Sequence, residues 1–175
     1  MKIILRSLLL AVFFSLSAWQ ANATHVAAAD IYYEYLAPLQ YKVHLVLYRD
    51  CKILASGGWA NSTLGGTALV DITSASCGQS LTVTVDTNGN NTNKMYGDLC
   101  PNINNWCTDY LSIFPGYEEW HYSKVVTLPM ACTDWKFSYE LCCRNGAVSN
   151  LQTPLSQSLC ISAGLNNVAR PINNS

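Results

Sequence analysis

The chain is predicted to fold as an all-β domain: an immunoglobulin-like, disulfide-stapled antiparallel β-sandwich of about seven strands. Three observations predict it. Apolar residues recur with a period of two in run after run, the signature of half-buried strands. Gly, Asn and Pro punctuate these runs, as turn residues do. No apolar stripe of helical period extends beyond about two turns, so a packed helix is not expected. A partly closed β-barrel is the alternative, because strand count does not separate the two architectures.

The first segment is not expected to belong to the fold. Lys2 and Arg6 form a positive n-region, Leu8 to Leu16 an apolar h-region interrupted by Ser15, and Ala21-Asn22-Ala23 a small-x-small cleavage site. This is the pattern of a secretory signal peptide. The apolar run is about a dozen residues, short of the roughly 20 that a membrane helix needs. Residues 1–23 are therefore expected to be removed on export, leaving 24–175 as a single extracellular domain, a size that supports one core.

Ile31, Tyr33 and Tyr35 alternate in a first predicted strand. Tyr41, Val43, Leu45 and Leu47 alternate in a second, with Lys42 and His44 on its other face. Gly57-Gly58 and Gly65-Gly66 bracket a loop, after which Ala68, Val70 and Ile72 make a third strand. Leu81, Val83 and Val85 against Thr82, Thr84 and Asp86 make the fourth. Residues 87–116, rich in Asn and Gly and carrying Pro101 and Pro115, break the rhythm. They are expected to form a long cross-linked loop with one short strand over 110–114, since such length without regular structure is uncommon unless something holds it. The strand pattern resumes over 118–128, 133–143 and 157–164.

All eight cysteines lie beyond residue 23: Cys51, Cys77, Cys100, Cys107, Cys132, Cys142, Cys143 and Cys160. An even number in an exported chain reads as a disulfide framework. None of the CxxC or HxxxH spacings that gather metal ligands occurs, so structural zinc is not expected. Over 133–143, Trp135, Phe137, Tyr139, Leu141 and Cys143 share one face, and Cys142 shares the other with Lys136, Ser138 and Glu140. Continuing the core face of the second strand through Arg49 reaches Cys51. The expected bridge is thus Cys51–Cys143, joining facing sheets beside Trp135, with Cys142 reaching Cys100 or Cys107. Cys132 is out of Cys142's reach, because ten residues of strand span about 33 Å while bridged Cα atoms lie within about 7 Å.

Only 12% of the residues are charged and the net charge is −1, becoming −3 once Lys2 and Arg6 are removed. No basic surface invites nucleic acid or anionic lipid. No transmembrane anchor is expected in the mature chain.

Two segments carry a resemblance. The first is Thr24-His25-Val26, Asp30-Ile31-Tyr32-Tyr33 and Tyr48-Arg49-Asp50-Cys51. The second is Val126-Thr127-Leu128-Pro129, then Cys132-Thr133-Asp134-Trp135-Lys136-Phe137-Ser138-Tyr139, then Cys142-Cys143-Arg144-Asn145. Together they resemble the N-terminal domain of Bacteroidota gliding-motility-associated, adhesin-like surface proteins exported by the type IX secretion system. The resemblance implies an extracellular β-domain leading a longer, surface-displayed protein. Ala27-Ala28-Ala29 stands where relatives usually carry glycines, and relatives run on into further domains beyond the position of Ser175. The chain is accordingly expected to be truncated before further domains.

Four sets of residues are singled out. Trp59, Trp106, Tyr117 and Trp120 are candidates for recognition, because aromatic side chains near loops stack on sugars or anchor protein partners. Arg49, Asp50, Arg144 and Asn145 form a polar pole, where an inward Arg49 is expected to pair with Asp134, Glu140 or backbone carbonyls. Asp86, Asn88 and Asn90 alternate as at the start of an EF-hand calcium loop, but the sixth-position Gly and twelfth-position Glu are missing. Asn61-Ser62-Thr63 and Asn90-Asn91-Thr92 match the N-glycosylation pattern, which carries little meaning in a chain of the bacterial origin that the resemblance implies.

No catalytic constellation emerges. A Gly-x-Ser-x-Gly elbow is missing, and Glu118 and Glu119 point to opposite faces of one strand, wrong for a glycosidase pair. His44 is expected on an outer face and His121 among aromatics. The functional expectation is a non-catalytic structural or adhesive domain, secreted or at a bacterial cell surface. It needs no cofactor, and its partner is an extracellular protein or glycan surface. The alternatives are a carbohydrate-binding module using loop aromatics and a small secreted hydrolase.

Overall fold

The computed structural model describes residues 26–51, 64–87, 94–96, 103–109, 111–114, 116–142, 150–153 and 156–169. Among the described residues eight strands are formed: β1 (Val26–Ala37), β2 (Gln40–Asp50), β3 (Thr67–Ser74), β4 (Gln79–Asp86), β5 (Lys94–Tyr96), β6 (Tyr117–Thr127), β7 (Trp135–Leu141) and β8 (Leu159–Leu165). All pair antiparallel in one sheet of order β1-β2-β6-β4-β3-β7-β8, with β5 beside β6.

Two of the ladders are local hairpins, whereas the longest, β2 with β6, pairs Gln40–Asp50 with the distant Tyr117–Thr127. The β1–β2 hairpin turns on Pro38-Leu39, with Ala37 opposite Gln40. Proline presets the first turn dihedral and Leu39 takes a φ of 62°, the pattern of a type II turn. That backbone is unfavourable for leucine, but the side chain packs on the core and its carbonyl accepts from Leu128 N at 2.8 Å. The β3–β4 hairpin closes through a loop in which Gly78 adopts a φ of 60°.

The strands β1-β2-β6 and β4-β3-β7-β8 face each other as sandwich layers would, yet they are one sheet. The seam between β4 and β6 is a single paired position, Asp86 opposite Ser123. The terminal strands β1 and β8 meet through Tyr33, whose hydroxyl donates to the Gly164 carbonyl at 3.0 Å. The result is all-β and nearly closed, the barrel-like form of the predicted class.

The core follows the period-two pattern. Tyr41, Val43, Leu45 and Leu47 of β2 are buried, as are Val70 and Ile72 of β3, Val85 of β4, and Trp135, Phe137 and Tyr139 of β7. Tyr33 lies across Phe137 with ring centroids 5.3 Å apart, joining β1 to β7 through the interior. Burial pushes the Tyr122 hydroxyl up to about 12, so it stays a neutral donor, bonded to the Gly65 carbonyl at 3.0 Å.

One expectation of local structure needs correction. No strand forms over 111–114; the chain turns there, because Asp109 and Ser112 side chains capture the amides of Leu111 and Phe114. The short strand of this region is β5, upstream, against Glu119 to Tyr117 of β6.

Candidate functional site

The end of the barrel where β2 stops and β6 starts gathers the largest share of the predicted residues. Arg49 lies directly opposite Glu118 in the β2–β6 ladder, and its guanidinium pairs with the Glu118 carboxylate. It also sits 5.5 Å from the centroid of the Trp120 ring, which is on the same strand face as Glu118. Both charged side chains are mostly buried, at 15% and 20% exposure, so neither is left uncompensated. Arg49 therefore pairs with Glu118, not with Asp134 or Glu140. The alternation of β6 puts the pairing carboxylate two positions from Trp120, and cross-strand register brings it opposite Arg49.

Cys51 is bonded to Cys107, not to Cys143. Its amide donates to the Gly116 carbonyl at 2.9 Å, which ties the end of β2 to the segment leading into β6. That segment folds back so that Cys107 arrives from the neighbouring strand's side instead of from across the barrel. Glycine is required for this: a Cβ at Gly116 would lie 2.6 Å from Asn105 Oδ1 and 2.7 Å from Cys107 Sγ. A second bridge, Cys77–Cys132, staples the opposite end of the barrel, and Cys132 belongs to the core beside Trp135. Cys142 is also disulfide-bonded. Cys160, expected in the framework, is instead an exposed free thiol, because it points outward from β8 opposite Glu140.

The stapled loop is organised by its own polar groups. Asn105 is buried, and its Oδ1 accepts from Cys107 N at 2.9 Å while its carbonyl accepts from Thr108 N and Asp109 N. Trp106 N donates to the Phe114 carbonyl at 3.1 Å, and Ser112 Oγ donates to the Asn104 carbonyl at 2.5 Å. These two contacts lay 103–106 against 112–114. The Trp106 indole donates to the Ser112 carbonyl at 2.7 Å. Trp106, a predicted recognition residue, thus braces the loop from within. What the loop presents is Ile103, Leu111, Ile113 and Phe114, exposed at 43%, 73%, 84% and 47%. Sequence reasoning missed these four. The one signal was their place in an otherwise irregular cysteine-bearing loop, and the alternation of Leu111 and Ile113 about Ser112 masked it as a strand.

The outer face of β1-β2-β6 carries a second cluster. The Tyr32 ring stacks on His44 with centroids 4.6 Å apart and planes within 4°, and His44 Nε2 lies 3.5 Å from Glu34 Oε1. Burial holds the His44 pKa below its usual value, against the opposing pull of Glu34. Nearby, Glu119 accepts from His121 Nε2 at 2.7 Å. Glu118 and Glu119 do point to opposite faces, each already paired. Among the described residues no group of three or more His, Cys, Asp or Glu is placed to hold a metal ion.

At the far end Asp134 caps the β3–β4 hairpin. Its carboxylate accepts from Ser74 Oγ at 2.5 Å, Ser76 Oγ at 2.5 Å and Ser76 N at 2.8 Å. Those donors hold its pKa down at about 2.

Comparison with protein-family models, with curated proteins and with solved structures finds no match.

Of the other predicted residues, Asp50 and Tyr117 lie opposite each other next to the Arg49–Glu118 pair. Asp50 is buried at the end of β2, and Tyr117 and Trp120 are half-buried in β6. Asp86, of the calcium motif, lies 3.8 Å from the Lys124 ammonium. Residues 1–25, Trp59, Asn61, Asn88, Asn90, Asn91, Cys100, Cys143, Arg144 and Asn145 lie outside the described residues.

Proposed function

We propose that this chain is a non-catalytic recognition domain working outside the cell, with a structural or adhesive role at a bacterial surface. The observation that carries the reading is the loop of Cys107. A disulfide and a web of internal hydrogen bonds hold it on a β-scaffold, while its apolar side chains face solvent. Ordering a loop in advance removes an entropy cost from binding, whereas aliphatic side chains supply no nucleophile or general base.

The setting rests on coarser support. The bridges Cys51–Cys107 and Cys77–Cys132 fit an oxidising, extracytoplasmic compartment. No helix among the described residues is long and apolar enough to cross a membrane. The signal-peptide pattern and the resemblance to gliding-motility-associated, type IX-exported surface proteins of Bacteroidota add the bacterial surface to the proposal. A carbohydrate-binding role through loop indoles is less favoured, since the Trp106 N–H is consumed by Ser112.

The test is binding of the labelled, purified secreted chain to whole cells and to a glycan array, alongside screens for esterase, glycosidase and peptidase turnover. Saturable cell binding without turnover is expected. Turnover that follows the purified chain through successive columns overturns the reading.

A further inference from the structure

The surface that does the recognising, given the role proposed above, is specified by the loop itself. The amides of Asn105, Trp106, Cys107, Thr108, Asp109, Leu111, Ser112 and Phe114 all donate within the loop. Burying the loop in an apolar site therefore strands none of those donors, which would otherwise be costly. The segment of Ile103 lies beside that of Ile113 and Phe114, because Ser112 bonds Asn104 and Trp106 bonds Phe114.

Charge narrows the occupant. The described loop holds one charged side chain, Asp109, and no cation. Asp109 Oδ1 accepts from Leu111 N at 3.0 Å, and no cation pairs with it among the described residues. Peripheral attachment to lipid normally recruits Lys or Arg, which this loop lacks. Hydroxyl-rich sugars need free donors and a stacking ring, and here those eight amides are spent and the indole is bonded inward.

We propose that Ile103, Leu111, Ile113 and Phe114 enter, as a preformed knob, an apolar pocket of an extracellular protein whose rim is cationic opposite Asp109. The scaffold supplies the rigidity, the four side chains supply the buried area, and the Asp109 carboxylate sets orientation.

The experiment places a photoreactive benzophenone amino acid at Ile113 and, as a control, at Leu69, which is equally apolar and 62% exposed on the side of the barrel. The full secreted chain is irradiated on producing cells, cross-linked products are identified by mass spectrometry, and the protein captured is purified as the binding probe. One protein captured at position 113 and not at 69 is expected. Its affinity should fall roughly 10- to 100-fold for Ile113→Ser, from the lost burial of one large aliphatic side chain. Asp109→Asn keeps the cap on Leu111 and should weaken binding only a few-fold while flattening its salt dependence. Capture only of a second copy of this chain, equal capture at both positions, or no capture overturns the knob assignment. So does saturable binding to pure phosphatidylcholine vesicles that Ile113→Ser abolishes. Cell binding that survives Ile113→Ser overturns this assignment and leaves the non-catalytic recognition role intact.

Discussion

The hydroxyl of Tyr33 in β1 donates to the carbonyl of Gly164 in β8 across 3.0 Å, and this contact links the first and last strands of the sheet. A neutral hydrogen bond of this kind contributes about 1 kcal/mol net. Tyr33→Phe keeps the ring against Phe137 and removes only the link. Amide exchange in β1 and β8 is expected to quicken by up to about tenfold while β3 and β4 hold their protection. Uniform exchange across all strands would show that the seam is held by other contacts.

Gly116 is the position least able to carry a side chain. In Gly116→Ala the new methyl meets Asn105 Oδ1 and Cys107 Sγ at 2.6 and 2.7 Å. Overpacking of this kind costs on the order of 1–3 kcal/mol. A lower urea midpoint with unchanged slope is the expected readout.

The Cys51–Cys107 bridge has a sequence separation of 56. Replacing both cysteines with serine frees that loop in the unfolded chain, and a loss of about 2–4 kcal/mol is expected on the chain-entropy account. Stability within experimental scatter of the parent would mean that the hydrogen-bonded loop survives without its staple.

Asp134 gives a signed dependence on acid. Three donors from Ser74 and Ser76 hold its carboxyl at about 2, below the ordinary value of 3.8. A depressed acid contributes stability that is full above the unfolded value and is lost as pH falls through the folded one. The melting temperature should therefore fall between about pH 4 and pH 2. Asp134→Asn should be less stable at neutral pH and flatter across that window. Parallel curves for the two proteins would remove Asp134 as the cause.

His44 works in a different window. Burial lowers its pKa from 6.5, so the fold prefers the neutral imidazole. The unfolded chain takes up a proton first as pH drops, and stability declines below about pH 6.5 until the folded His44 also titrates. Glu34 and Tyr32 on β1, Lys42 on β2 and His121 on β6 face or flank it, and Glu119 reaches it through His121. His44→Gln should reduce this slope, and the His44 imidazole resonance should titrate below 6.5 by NMR. A midpoint above 6.5 would reverse the sign.

The strands were legible residue by residue. Tyr41, Val43, Leu45 and Leu47 alternate with Lys42 and His44, and the inward set is the buried one. Trp135, Phe137 and Tyr139 behave the same way. The proposed recognition surface was less legible. Trp106 and Trp120 drew attention by residue type, yet one is bonded inward to Ser112 and the other lies beside Arg49. The aliphatic Leu111 and Ile113 looked like strand residues, and only the side-chain caps of Asp109 and Ser112 turn them outward.

What the chain's own order of residues determined is the all-β class, the seven long strands and which face of each of these is buried. Side-chain alternation in an extended backbone is a local property, set by each residue's two neighbours. Tertiary structure alone decided that Cys51 meets Cys107, that Arg49 meets Glu118, that Cys160 stays free, and that the sheet curls into near closure. Each of those outcomes depends on distances between segments tens of residues apart, which alternation leaves undetermined and register, sheet order and the close approach of Asn105 and Cys107 to Gly116 select.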